Sequence, residues 1–353
     1  MLGVRKIYRL ITNIVLFSGF VCYSSPNAYN THFRCIEENN FASLSTPNFV
    51  NVSFGYSLKG HIYCFMKIDL HCHTYYSDGQ LSPVELVDRA NNMQVDVLAI
   101  TDHDTVQALD EARAHQAKQK RKMHIVNGIE LSTSWHNFDI HILGLNVDKD
   151  DEVFRQRLVE QKNERDARAQ KMSDKLAKAG VENVLDDAKL LAGEGQLTRA
   201  HFARVLVERK EVRDFESAFK KYLGKGKRAH VKPQWITIEE AIEWIHDAGG
   251  KAVLAHPGHY DMTTKWLRRL VLEFKQAGGD GIETTHARIN PEKRKLIVEL
   301  AMEHNLQASA GSDFHFVSRW TELGKNLGVP EHLTPIWHDW SFVDSSIETT
   351  SNA

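Results

Sequence analysis

From Lys67 onward the chain alternates short apolar runs with amphipathic helical segments, and that order constrains the fold more than any other feature of its 353 residues. Strands that alternate with helices assemble into a mainly parallel α/β sheet, because each crossover helix covers a face of the sheet it connects. "KIDLHCHT" reads as the first strand, and "SPVELVDRANNM" opens a helix with Ser82 as N-cap, Pro83 in the first turn and Glu85 completing a capping box. "VDVLAIT" is a buried strand, "TVQALDEARAHQAKQ" a helix, and "HIVNGIELST" and "FDIHILGLNV" are two further strands. After an interruption the rhythm resumes with the helix "TIEEAIEWIHDAGG", capped by Thr237 and Glu240, and the strand "KAVLAHP". A helix near 264–277, the strand "DGIETTH", the helix "NPEKRKLIVELAMEHN" and the strand "LQASAGSD" follow.

The interruption, residues 151–233, reads as helices alone, with Gly180 as a stop signal in its first long segment. It carries 20 Lys and Arg against 14 Asp and Glu, whereas the rest of the chain has 24 against 32, so positive charge is concentrated in it. Residues 66–150 and 234–340 are therefore expected to form one α/β domain, 151–233 an inserted basic helical lid, and 341–353 ("SFVDSSIETTSNA") a disordered tail. Residues 1–65 stand apart. Arg5, Lys6 and Arg9 precede an apolar stretch to Tyr23 in the layout of a secretory signal, while ordered alternation begins only behind Met66, the layout of an extension upstream of another start. A cytoplasmic protein follows from the second layout and an exported one from the first. No stable membrane span is expected, and all four cysteines, Cys22, Cys35, Cys64 and Cys72, fall before residue 73, which leaves no disulfide framework or paired-cysteine zinc motif beyond it.

Each expected strand ends in groups that bind metal. His71, His73 and Asp78 follow the first strand, Asp102-His103-Asp104 the second, Glu130 and His141 lie in the next two, His256 follows "VLA", and Asp313 and His315 close the last. In a closed parallel barrel all strand C-termini open on one face, so these ligands would converge there. Nine buried imidazoles and carboxylates are costly unless cations hold them, and they exceed what one ion takes. A mixed nitrogen and oxygen set without thiolate suits zinc, manganese or iron, and clusters of such ions serve phosphoester hydrolysis. His115, His124, His136, His304, His332 and His338 read as ordinary core, cap or surface histidines.

The motifs "DLHCHTYYSDG", "ITDHDT", "GIELS", "HILG", "AHPG" and "GSDFH", in this order over Lys67 to Pro330, resemble the polymerase and histidinol phosphatase (PHP) superfamily. The insert, with "TRAHFARVLV" and "KKYLGKGK", resembles the bacterial branch of 5′→3′ exoribonucleases also described as 3′,5′-nucleoside bisphosphate phosphatases. The resemblance implies a distorted (β/α)7 barrel with an inserted all-helical subdomain and a trinuclear metal site, with manganese the usual ion and zinc or iron in relatives. By motif, His71, His73, Glu130 and Asp313 would hold one ion, Glu130, His141 and His256 a second, and Asp78, His103 and His315 a third. Glu283 and His286 of "GIETTHAR" fall beside that face, with Glu283 equally readable as a strand-end surface residue.

The charges of "QRLVEQKNERDARAQK" mix both signs as a solvated helix surface does. For a second phosphate of the substrate, Arg199 and His201 are the expected contacts, with Arg204 one turn on and Lys225 in a glycine-rich loop. His256 or an Asp102–His103 pair is the candidate to assist the leaving oxygen. The expected substrates are short RNA or a nucleoside 3′,5′-bisphosphate; no DNA-binding or RNA-binding module, P-loop or GxGxxG is present, and no protein partner is indicated. Two rivals remain: a histidinol-phosphate-type phosphatase, which has no need of a basic insert, and a non-catalytic metal-stabilised module.

Overall fold

The computed structural model describes residues 66–341, and before them the backbone of six short strands between Ile14 and Cys64. Residues 67–353 form a unit by themselves. Apart from those strands, the expected signal or extension in 1–65 lies outside the described residues, as does the expected tail beyond residue 341. Among the described residues no helix is long and apolar enough to cross a membrane.

Seven strands make one sheet in chain order: β1 (Ile68–Asp69), β2 (Val97–Ile100), β3 (His124–Trp135), β4 (Phe138–Leu145), β5 (Lys251–Leu254), β6 (Gly281–His286) and β7 (Gln307–Gly311). The last strand returns to the first and nearly closes a barrel. Leu70 N–H donates to the Ala310 carbonyl at 3.0 Å, Asp313 N–H to that of His71 at 2.8 Å, and His73 N–H to that of Phe314 at 2.9 Å. The helices that cover the barrel begin where their caps are written. Helix α1 (Pro83–Asn92) has the Ser82–Glu85 capping box, and α7 (Ile238–Asp247) has that of Thr237 and Glu240. The main core joins the outer faces of β3, β4 and β5 to α7, α8 (Thr264–Gln276) and α9 (Pro291–Glu303); a smaller one lies between β2, α1 and α2 (Ala108–Gln116).

One strand runs the wrong way for a parallel barrel. β4 is antiparallel to both β3 and β5. Only His136 and Asn137 separate β3 from β4, too few for a crossover, and His136 takes the positive φ of 51° that a two-residue hairpin turn demands. His141 is therefore not at a strand C-terminus; it lies opposite Ser132 within β4 and reaches the metal-ligand face because its strand enters from that side.

Between β4 and α7 come α3 (Glu152–Lys178), α4 (Val184–Ala192), α5 (Arg199–Glu208) and α6 (Phe215–Ala218), the last running on into one wide turn at Phe219–Leu223. They enclose a core of their own around Leu176, Val184, Phe202, Leu206 and Tyr222. Helix α3 spans both cores. Phe154 and Leu158 pack in the barrel core, Ala169, Met172 and Leu176 in the helical one, and between them, on the same face, lie Gln161 and Arg165. Arg165 is 6% exposed. It donates from Nε to Asp104 Oδ2 at 2.6 Å and from Nη2 to Ser132 Oγ at 2.6 Å, while Gln161 Nε2 donates to the Ser132 carbonyl at 2.7 Å. The solvated-surface expectation holds for most charges of α3 and fails at Gln161 and Arg165, which dock the insert on the barrel.

Candidate metal centre

The side chains of β1 and its exit set the first ligands. His71 and His73, two residues apart, project to the same side, and their Nε2 atoms stand 3.1 Å apart. Asp313 Oδ1, just past β7, lies 3.4 Å from each. Glu130 Oε2 on β3 lies 3.4 and 3.3 Å from the same two nitrogens. The other Glu130 oxygen, Oε1, is 2.9 Å from both His141 Nδ1 and His256 Nε2. Asp78 Oδ1 is 3.2 Å from His315 Nε2 and 3.6 Å from His103 Nε2, and His103 turns Nδ1 back to Glu130 Oε2 at 3.0 Å. All nine expected ligands thus come together, with Glu130 at the junction.

The donor set fits divalent cations on an observation independent of spacing. Asp78 Oδ1, Glu130 Oε2, His103 Nδ1 and His256 Nδ1 are buried without a hydrogen-bond partner. Buried polar atoms whose only close neighbours are one another's ion-pairing groups, not well-aligned hydrogen bonds, are rare and expensive, and atoms converging so from separate strands are arranged for something between them. Four overlapping groups, His73–Asp78–His103–His315, His71–Glu130–His256, His71–His73–Asp313 and His103–Glu130–His141, each bring ligand atoms within 4.8 Å of one another. Burial disfavours charge on His73, but Asp313 and Glu130 outweigh it and raise its pKa to about 10. Burial likewise opposes charge on Glu130 and Asp313, and the surrounding histidines hold both well below the usual carboxylate range.

Supporting residues differ from several expectations. Glu283 is fully buried, not a surface residue: Oε1 pairs with His71 Nδ1 at 3.0 Å and Oε2 accepts from His256 N–H at 2.5 Å. Such partners fix the orientation of ligating imidazoles. Only glycine fits at 311, since a Cβ there would come within 2.2 Å of His71 Cβ and 2.8 Å of Glu283 Oε1. Asp102 forms no pair with His103. Its carboxylate accepts from Thr74 N–H at 2.7 Å, Thr74 Oγ1 at 2.6 Å and Ser77 Oγ at 2.6 Å, and Ser77 Oγ lies 3.3 Å from His73 Nδ1. Asp102 therefore sits behind His73, orienting it, with no free oxygen for acid–base work. His286 is buried beside His259, ring centroids 4.2 Å apart, and its hydrogen bond goes to the Ala287 carbonyl and not to a ligand.

A cavity of 390 Å³ abuts the cluster, bounded by the β3–β4 hairpin, the insert and the loop after β5. Arg199, Lys225, His230 and Lys232 line it, with His259 and Tyr260 on the metal side. His259 Nδ1 is 4.0 Å from Asp313 Oδ2 and its ring stacks on His256, while Tyr260 Oη accepts from His141 N–H at 2.9 Å. Arg199 is paired only loosely, 3.5 Å from Asp139 Oδ2, and Lys225 Nζ donates to the Asn137 carbonyl in the hairpin turn at 2.7 Å. Behind them Arg168 lies 5.2 Å over Trp235 with a buried, unpartnered Nη2, and burial, then Arg199, lowers its pKa to about 9. Arg199, Lys225 and Lys232, with Arg168 behind them, outnumber the carboxylates of Asp139 and Asp261, an excess positive charge that an anion satisfies.

His201 is not part of this pocket. It is 1% exposed, and its Nδ1 accepts from Thr198 N–H at 3.1 Å as the N3 member of a capping box on α5. His136, read as an ordinary histidine, does line the cavity. His230, Lys232, Arg168 and His259 were missed; His259 alone left a signal, three residues past His256 in the same strand-exit loop.

The chain matches the PHP domain over residues 69–250. It is 48% identical to a 5′-3′ exoribonuclease of Haemophilus influenzae over 77% of this chain and 98% of that protein. The chain belongs to the PHP family. A second PHP relative, a 3′,5′-nucleoside bisphosphate phosphatase of Chromobacterium violaceum, is 40% identical over 76% of this chain and 93% of that one. Among solved structures, an amidohydrolase from Chromobacterium violaceum with bound sulfate superposes with a TM-score of 0.73 at 38% identity, over 79% of this chain and 96% of that chain. A protein described as a metal-dependent phosphoesterase from Bifidobacterium adolescentis reaches 0.64 at 25% identity, over 80% and 95%. Fold, order of motifs and cluster together make this PHP chain a phosphoester hydrolase.

Proposed function

We propose that the protein cleaves the 3′ phosphoester of a nucleotide that also bears a 5′ phosphate, as a 3′,5′-nucleoside bisphosphate 3′-phosphatase, a 5′→3′ exoribonuclease on short 5′-monophosphorylated RNA, or both. The observation that carries this reading is the cationic cavity beside the ligand cluster, with His259 and Tyr260 bordering both. Two anion-binding regions side by side suit a substrate with two phosphates. The names of the relatives point the same way, and both activities break the same P–O3′ bond, releasing a 5′-mononucleotide and either phosphate or a shortened RNA.

His71, His73, Glu130 and Asp313, then Glu130, His141 and His256, then Asp78, His103 and His315 would hold two or three divalent ions, manganese first among them and zinc or iron as alternatives. Bound ions of this kind lower the pKa of water to near neutrality and neutralise charge on phosphoryl oxygens. The chain's own residues do the rest. Arg199 and Lys225 grip the 5′ phosphate, Arg168 supplies a further buried donor, and the Lys225–Asn137 contact bounds the pocket so that it takes a strand end. Glu283 and Asp102 hold His256, His71 and His73 in place. His103 and His256 each turn a nitrogen to Glu130 within the ligand set, so no separate acid is assigned. A histidinol-phosphate substrate, itself cationic, is disfavoured by the pocket's charge, and the intact cluster disfavours a non-catalytic module. A cytoplasmic site of action goes with RNA or nucleotide substrates.

The test is manganese-dependent turnover of adenosine 3′,5′-bisphosphate and of a short RNA with either a 5′ phosphate or a 5′ hydroxyl, with Asp313→Ala as control. Phosphate from the first, or mononucleotides from the 5′-phosphorylated RNA alone, both lost in the variant, is the expected result. Equal cleavage of the 5′-hydroxyl RNA, or no turnover of any of them by metal-loaded protein, sinks the assignment.

A further inference from the structure

We propose that the helical insert is a working part of the metal centre, with Arg204 as the positioning residue for the ion held by Asp78, His103 and His315. This rests on the metal-dependent reading above but on no choice of substrate. Most ligands have anchors within the barrel: Glu283 holds His71 and His256, Asp313 N–H is bonded to the His71 carbonyl, and Glu130 stands on a strand paired on both sides. Asp78 lies instead in the loop before α1, and the insert grips the outer half of that loop.

Arg204 of α5 donates from Nη2 to the Asp78 carbonyl at 2.5 Å. Two residues earlier, the Tyr76 carbonyl accepts from Gln196 N–H at 2.8 Å. The approach is so close that a Cβ at Gly195 would meet the carbonyl oxygens of Tyr75 and Tyr76 at 2.7 Å. The same segment reaches the loop of His103. Gln196 Nε2 donates to the Asp104 carbonyl at 3.3 Å, and Asp104, at a φ of 51°, is held by Arg165 of α3. These contacts go to the main chain of ligand residues or their neighbours, so they set where Asp78 and His103 can point rather than merely covering the barrel. Helix α5 also carries Arg199 into the anion pocket, five residues from Arg204. One helix therefore ties the phosphate contact of Arg199 to the loop that carries Asp78, and the insert cannot swing away without loosening both.

The experiment uses the full chain with Arg204→Met and Arg204→Lys, dialysed against graded manganese, with bound metal per chain read by plasma mass spectrometry and folding checked by circular dichroism. One equivalent should lose about 10–100-fold in affinity in the Met variant, the others should be unchanged, and Lys, which keeps one charged donor, should recover part of the loss. Arg199→Ala, in the pocket, should keep every equivalent. Should the Met variant not fold, the Lys variant reads the same equivalent. Binding unchanged at all equivalents, or weakened evenly across them, overturns the proposal. Absence of manganese binding before any substitution overturns the metal-dependent reading itself, and this inference with it.

Discussion

Asp104, His256 and Asp313 adopt φ angles of 51°, 28° and 52°, a region that residues with side chains rarely occupy, and all three sit where strands deliver the ligand cluster. Nothing in the residue types announces this; the conformations are imposed by the barrel and by partners such as Arg165. His201 shows the same limit from the other side. Its position in "TRAHFAR" suits a phosphate contact, yet burial holds the ring neutral, with a pKa lowered to about 4. The unfolded chain binds this proton near the ordinary value of about 6.5, more tightly than the folded chain does near 4. Stability from this group is thus fully present above about 6.5 and is lost as the pH falls toward 4, on the order of 2 to 3 kcal/mol. Urea unfolding across that range, compared with His201→Gln, which keeps the capping acceptor and cannot titrate, should show the steeper loss only in the unsubstituted chain. Parallel slopes would refute the buried neutral assignment.

Helix α3 was legible as a helix, and the spacing of Phe154, Leu158, Gln161, Arg165, Ala169, Met172 and Leu176 marks one buried face throughout. Its middle was misread because Gln161 and Arg165 are polar, and a polar residue on a buried face is recognised only once its partners, Asp104 and Ser132, are known. Arg165→Met leaves the Asp104 carboxylate buried and unpaired, so it should cost about 3–5 kcal/mol. Adding Asp104→Asn should return part of it. Denaturant midpoints of the single and double variants check this, and a single-variant loss below 1 kcal/mol would place the pair among weak surface bridges. The hairpin of β3 and β4 was likewise visible as two strands. Its direction lay in the two-residue length of the turn.

At the scale of the whole molecule, nine ligands from six strands and their exits crowd carboxylates and imidazoles into one buried cluster. Ions bound only by the folded chain stabilise it by mass action, about 2.7 kcal/mol per site at a hundred times the dissociation constant. Removing metal with a chelator should therefore lower the melting temperature by roughly 5 to 10 °C for each ion lost, at about 2–4 °C per kcal/mol for a domain of this size. Manganese should restore it, and a transition indifferent to both would show that the cluster holds no ion.

Local pattern sufficed for the α/β order, the capped starts of α1 and α7, the insert and the nine polar residues that converge, because a strand exit with its polar residues is written contiguously in the chain. Long-range proximity decided the rest. That Glu283 grips His71 across 212 residues, that Asp102 serves His73 and not its neighbour His103, and that Arg165 and Arg204 of the insert hold the loops of a barrel site depend on barrel closure and helix docking. No local period records those contacts, since each joins groups that folding alone brings within hydrogen-bond reach.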